Sequence, residues 1–182
     1  MDAITQLDMS ILHSIHEGIS CGFLDFAFPK LTLLCYLFIG AAVVFLFFRK
    51  LRQSGAAMCG AILLALLVGN LLLKNIVARG RPCWLEPDYM QLLVSVPKDF
   101  SFPSAHTMIS VAAAVALFHY NKKLGVIGLV AAAVVGFSRL YLFVHFPTDV
   151  LAGAVIGIIL GVISCVVTDK VTAKIKSRRA VK

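Results

Sequence analysis

The stretch LTLLCYLFIGAAVVFLFFRKLRQSGAAMCGAILLALLVGNLLL, residues 31–73, decides the fold. Two apolar runs, at about 31–48 and 56–73, flank a basic loop carrying Arg49, Lys50 and Arg52. Three further runs follow at 104–120, 124–143 and 149–168. Runs of about 18–20 residues, at 1.5 Å per residue, cover roughly 27–30 Å, close to the hydrocarbon thickness of a bilayer. The composition agrees: 60% of the 182 residues are hydrophobic and 14% charged, with a mean hydropathy of +0.93. A soluble domain has roughly 45–50% apolar and about 25% charged residues. The expected fold is all-α, a polytopic membrane bundle of five transmembrane helices with an N-terminal amphipathic helix, six helices in total, forming one membrane domain over 1–182.

The formal charge of +8 invites a nucleic-acid reading, and its distribution argues against one. Arg49, Lys50 and Arg52 lie between the first two spans, and Lys122 and Lys123 between the third and fourth. Lys170, Lys174, Lys176, Arg178, Arg179 and Lys182 follow the fifth. Eleven of the 17 basic residues thus fall on one side, which the positive-inside rule makes cytoplasmic. The tail 169–182 reads as an orientation signal that touches anionic lipid, not as a nucleic-acid patch. No Lys or Arg precedes Lys30, so the basic region of a cleavable signal peptide is missing and the protein is expected to stay uncleaved in the plasma membrane.

Residues 1–30 read differently. Ile4, Leu7, Ile11, Leu12, Ile15 and Ile19 recur at helical spacing among Asp8, His13, His16 and Glu17, the pattern of a helix lying in the interface. His13 and His16 lack the further ligands of a metal set and read as solvated polar-face residues, as does His119. The five cysteines form no CxxC pair, which supports neither zinc nor thiol redox chemistry; a Cys21–Cys83 disulfide is not expected. Gly153, Gly157 and Gly161 form a close-packing stripe whose partner, within the bundle or in another subunit, the sequence leaves open.

The remaining polar residues converge on the other end of the spans. Lys74, Arg79, Arg81, Ser104, His106, Arg139, His145 and Asp149 come from three distant parts of the chain. Ionisable residues at membrane depth are costly and point to function. Lys74 and Arg81, seven apart, would share one helix face, with Arg79 pointing elsewhere as an interfacial or salt-bridging cation. The plain alternative is a snorkelling pair at a span end. Pro103 and Ser104 mark a helix start whose free amides suit an anion, and His106 stands within a turn of it. Ser104 also reads simply as a cap. Arg139 offers a guanidinium fork for phosphate oxygens. Asp149 is either a first-turn cap of the last span or the partner that holds one ring nitrogen of His145.

Three cations, two histidines and a single orienting carboxylate suit a strongly anionic group. Metal catalysis calls for more carboxylates or a third histidine, and neither Ser104 nor Ser138 sits in a GxSxG elbow. Phosphoryl transfer needs cations and amides aimed at phosphate oxygens.

KNIVARGRP fits Lys-x6-Arg-Pro, PSAH is close to Pro-Ser-Gly-His, and SRLYLFVHFPTD fits Ser-Arg-x5-His-x3-Asp. In this order, over residues 74–149, the three resemble the signature motifs of the type 2 phosphatidic acid phosphatases, integral-membrane lipid phosphate phosphatases. The resemblance implies that His145 is the nucleophile, forming a phosphohistidine, with Asp149 orienting it. It implies that His106 protonates the leaving oxygen and then helps activate water. Lys74, Arg81, Arg139, Ser104 and the Ala105 amide would bind the phosphoryl oxygens, without metal or other cofactor. Ala105 stands where the family has glycine, so a negative φ is expected there.

The implied function is hydrolysis of a phosphate or diphosphate lipid at the outer leaflet, with undecaprenyl diphosphate the leading substrate by analogy with small family members. Phosphatidylglycerophosphate or phosphatidate is the alternative within the class, and a non-catalytic lipid-binding protein the alternative outside it. Leu85, Tyr89, Leu92, Leu93 and Val96 form a stripe beside Trp84 that reads either as a helix along the membrane over the site or as a plain loop.

Overall fold

A computed structural model describes residues 2–180; Lys182 of the expected basic tail lies outside them. Helix α1 (Ala3–Ile19) opens with an Asp2 cap that accepts the Thr5 N–H at 2.7 Å. It ends at Ile19, short of the 30 residues expected. Residues Gly22–Leu31 form α2 and lead directly into α3 (Leu34–Phe47), giving one apolar unit over Gly22–Phe47. The step between them follows Pro29, which lacks the N–H that a helix interior needs.

The second unit, Arg52–Leu85, is irregular. Helix α4 (Arg52–Ala65) widens into a π-helical stretch over Leu66–Leu73 before α5 (Lys74–Val77). Ala78 then adopts φ 47°, and the chain turns into the short α6 (Pro82–Leu85). The expectation that Lys74 and Arg81 share one helix face is therefore overturned. The helix stops at Val77, and Arg81 is an extended residue ahead of Pro82, where the ring disfavours helical geometry in the preceding residue. The two side chains meet by chain reversal instead.

Helices α7 (Ala105–Tyr120), α8 (Lys122–Tyr141) and α9 (Pro147–Ala180) complete the bundle. Among the described residues there is no strand, and the expected all-α architecture of six helical units holds. Among the described residues four units are long and apolar enough to cross a membrane; α7, with 16 residues, is a shorter apolar helix. It is packed by α4, α8 and α9, and Ala112, Ala113, Ala114 and Ala116 let these neighbours approach closely. The stripe on α9 packs here, within the bundle. A Cβ at Gly153, Gly157 or Gly161 would come within 2.8, 2.7 or 2.8 Å of the Ser104, Met108 or Ala112 carbonyl oxygen of α7. Only glycine lets α9 lie this close.

Residues 86–104 form no regular helix, so the stripe beside Trp84 is a loop. Trp84 Nε1 ties it to the Pro97 carbonyl at 3.0 Å, while Tyr89, Met90 and Leu92 pack with Met9, Leu12 and Phe143. The loop is thereby clamped over the end of the bundle by α1. His13 is not simply solvated: it meets Glu86 at 2.8 Å and its ring lies against Tyr89. His119 pairs with Asp169 at 3.0 Å. All five cysteines are free thiols.

Candidate active site

Three separate stretches of chain bring Lys74, Arg81, Ala105, His106, Arg139 and His145 to one cavity of about 270 Å³. Asn70 and Asp99 also line it. Lys74 projects from α5, the last helical turn before the reversal at Ala78, and Arg81 enters after that reversal. Ala105 and His106 form the first turn of α7, where Ala105 keeps the negative φ expected of it. Arg139 leaves the last turn of α8. His145 follows a tight exit from α8 in which Phe143 takes φ 56°. A left-handed non-glycine residue costs on the order of 1–3 kcal/mol and persists only where its surroundings hold it, here as a fully buried ring under Tyr89. Pro147 opens α9 and places Asp149 in its first turn, as expected.

The cations are buried: Lys74 is 6%, Arg81 3% and Arg139 5% exposed. Arg81 is fully engaged. Its Nε donates to the Asp99 carbonyl at 2.7 Å and Nη2 to the Asp99 carboxylate at 2.8 Å. Its Nη1 donates to the Val144 carbonyl at 2.6 Å and approaches His145 Nε2 at 3.2 Å. Lys74 pairs with the same Asp99 carboxylate. Arg139 differs. Its Nε reaches Ser138 Oγ at 3.4 Å, but its Nη2 is buried without a hydrogen-bond partner among the described residues. A buried guanidinium donor left unpaired at a cavity is a place for an anionic oxygen.

The tautomer of His145 follows from its neighbours. An arginine can only donate, so Nε2 facing Arg81 must accept, and the proton sits on Nδ1. Nδ1 faces Ser101 Oγ at 3.4 Å and Asp149 Oδ2 at 3.6 Å, while Ser101 Oγ donates to Asp149 Oδ2. Asp149 Oδ2 also accepts the Phe146 N–H at 2.9 Å. Ser101 thus stands between histidine and carboxylate. Burial first, then the Arg81 and Lys74 charges, push His145 down to about 4 against the opposing pull of Asp149, so the ring is a neutral base at ordinary pH. For Asp99, burial raises the carboxyl, but Lys74 and Arg81 outweigh it and hold the group below the usual carboxylate range.

Ser104 is placed elsewhere. Its Oγ shares a 2.9 Å hydrogen bond with Thr107, its N–H donates to the Asp149 carbonyl at 3.1 Å, and it does not line the cavity. Its placement ties the start of α7 to α9. His106 lies in the cavity wall, its ring nearly perpendicular to that of Tyr36. Sequence reasoning missed Asp99, Ser101, Asn70 and the partners of Arg79. Ser101 had a signal, its place two residues ahead of the PSAH motif; the other three depend on folding alone. No three His, Cys, Asp or Glu side chains cluster as a metal's ligand set among the described residues.

Residues 54–173 match the family model described as the PAP2 superfamily. The chain belongs to that superfamily. The resemblance read from the three motifs is thereby borne out. The chain is 33% identical to an undecaprenyl-diphosphatase of Sulfolobus acidocaldarius over 67% of its own length and 59% of the relative's. It is 32% identical to phosphatidylglycerophosphatase B of Bacillus subtilis over 80% of its length and 70% of the relative's. The fold superposes on Aquifex aeolicus LpxE with a TM-score of 0.76 at 30% identity, covering 87% of this chain and 94% of that one. The phosphatidylglycerolphosphate phosphatase from Bacillus subtilis gives a TM-score of 0.75 at 28% identity, with 93% and 88% covered.

Proposed function

We propose that the protein hydrolyses a membrane lipid phosphate or diphosphate through a phosphohistidine on His145, without a metal ion. The observation that carries this reading is the unpartnered Arg139 Nη2 in a cavity shared with Lys74, Arg81 and both histidines. Three cations and the Asp99 carboxylate leave two formal positive charges around the cavity, which suits a terminal phosphoryl group carrying two negative charges better than a singly charged phosphodiester. Asn70 reaches the cavity from a stretch whose Leu67, Leu71 and Leu72 are exposed, so the pocket adjoins the lipid-facing side of the bundle.

The neutral Nε2 attacks phosphorus as Arg81 turns from the ring to the phosphoryl oxygens. The bond to the leaving oxygen breaks, and His106 gives that oxygen its proton. His106 then takes a proton from water, which attacks phosphorus, breaks the P–N bond and releases phosphate. Ser101 and Asp149 stabilise the cationic phosphohistidine through Nδ1–H. Asp99 must yield Lys74 and Arg81 to the incoming phosphate.

Undecaprenyl diphosphate, cleaved to the monophosphate, is the substrate favoured by the relative from Sulfolobus acidocaldarius. Phosphatidylglycerophosphate is the second reading, favoured by the longer match to phosphatidylglycerophosphatase B. Purified protein in detergent, given undecaprenyl diphosphate, phosphatidylglycerophosphate and phosphatidate in parallel with excess EDTA, should release phosphate fastest from the first. Faster release from the second would reassign the substrate, and release from none would overturn the enzyme reading. On this reading the site faces the extracytoplasmic side of the plasma membrane, a reading supported by the positive-inside rule applied to the basic loops. A lone cysteine at Asp88 should react with an impermeant maleimide in intact cells, and one at Ser177 only after permeabilisation; the reverse pattern would overturn the orientation.

A further inference from the structure

Arg79 is held between two carboxylates from distant parts of the sequence, Asp8 of α1 and Asp149 of α9. Its Nη1 donates to Asp149 Oδ1 and to Thr148 Oγ1, each at 2.7 Å. Its Nη2 donates to Asp8 Oδ2 at 2.8 Å, and the guanidinium lies 3.9 Å from the centre of the Phe146 ring. Asp8, on α1, is 1% exposed. It also accepts the Thr148 N–H at 3.2 Å, one of the donors that the start of α9 leaves unpaired. Neither Arg79 nor Asp8 lines the cavity, so neither is in place to touch a bound phosphate.

We propose that Arg79, anchored by Asp8 of the N-terminal helix, is a positioning residue for the His145–Asp149 pair. Asp149 divides its two oxygens. Oδ2 serves Ser101, the Phe146 N–H and the Nδ1 side of His145, while Oδ1 is held by Arg79. Fixing Oδ1 fixes the carboxylate plane and keeps Oδ2 aimed at the nucleophile. Arg79 also compensates two buried negative charges at once. Without it, Asp8 and Asp149 would lie buried with no counter-charge between them, and nothing would hold Oδ1 of Asp149 in place. A rotated Asp149 no longer stabilises a cationic His145. Helix α1 is thus a working part of the site, reaching the nucleophile through Asp8, Arg79 and Asp149. This rests on the reading of His145 as the nucleophile.

The test compares the full-length protein with R79Q, R79K and D8N on the preferred lipid, measuring kcat, KM and inhibition by orthophosphate. In R79Q, kcat should fall on the order of 10–100-fold, by analogy with loss of the groups that orient metal-binding histidines. KM and the orthophosphate inhibition constant should stay within about threefold, because Lys74, Arg81 and Arg139 are untouched. R79K should recover part of kcat. D8N should lower kcat less than R79Q, again without changing phosphate inhibition, and should add little in the double variant because the two act as one unit. Unchanged kcat in R79Q and D8N would overturn the proposal. So would equal loss of turnover and phosphate affinity in R79K and D8N, the mark of a general structural role. If R79Q does not fold, R79K and D8N carry the comparison. The unaltered protein is the control: phosphate release from it separates failure of this proposal from failure of the phosphatase reading.

Discussion

The two ends of the bundle both carry basic residues, and they treat them in opposite ways. At one end Arg49, Lys50 and Arg52 are exposed, with Lys176 near them across a shallow cleft. At the other, Lys74, Arg81 and Arg139 are almost fully buried, and each lies against a cavity. Exposed cations cost little and can set orientation by number alone. Buried cations need partners, and the partners show the purpose. Asp99, Asp8 and Asp149 supply them for Lys74, Arg79 and Arg81, while Arg139 keeps a donor in reserve. The lesson is that exposed charge at one end bears on orientation, and buried charge at the other marks the candidate site.

The contrast can be broken from either end. The largest effect should come from removing the unpaired cation. R139Q should lower kcat/KM on the order of 10²–10³-fold, the range for losing a donor aimed at developing charge. Phosphate release with matched detergent micelles checks this, and a change under about threefold would remove Arg139 from the site.

A second expectation concerns pH. His145 is held near 4 instead of 6.5, so formation of the phosphoenzyme should persist from neutrality down to about pH 5 and fail below about 4. Rapid-quench measurement of the first turnover checks this; a midpoint near 6.5 would mean that His145 is not buried as described. The same depression sets a stability trend. Between pH 6.5 and about 4 the unfolded chain binds a proton at this residue that the folded chain does not, so folding stability should decline as the pH falls through that window.

A smaller effect, and of opposite sign, is expected at Asp99. Its carboxylate is 57% exposed, so its hold on Lys74 and Arg81 is screened by solvent. D99N should lower the orthophosphate inhibition constant by roughly two- to tenfold by removing a competitor for the same cations. Weaker inhibition would show instead that Asp99 preorganises the site. The smallest effect belongs to the far end: K50Q with R52Q should leave kcat/KM within about twofold and stability within about 0.5 kcal/mol. A large loss of turnover there would break the distinction between the two ends.

How much of this was legible in the sequence follows the same division. The five apolar runs, the helix starts at Ser104 and Pro147, and the convergence of Lys74, Arg81, His106, Arg139 and His145 all follow from local pattern and spacing. The failures lie where the chain leaves regular structure. Heptad spacing placed Lys74 and Arg81 on one helix face, but Ala78 in a left-handed conformation and Pro82 end the helix between them. Asp8 read as a polar-face residue of an interfacial helix, and nothing in its own neighbourhood shows that Arg79 would bury it. Asp99 sits in a loop with no periodicity, so its contact with two cations is purely tertiary. Ala105 was read correctly because a helical first turn asks nothing of it that alanine cannot give.

The central claim is that the buried end of the bundle forms a covalent phosphoenzyme on His145. Purified protein mixed with terminally labelled undecaprenyl diphosphate and quenched within the first turnover should carry acid-labile, base-stable label on the peptide containing His145. H145A should carry none, and should release no phosphate while remaining folded in detergent. Label on another residue, or phosphate release by H145A at near the unaltered rate, would contradict the account.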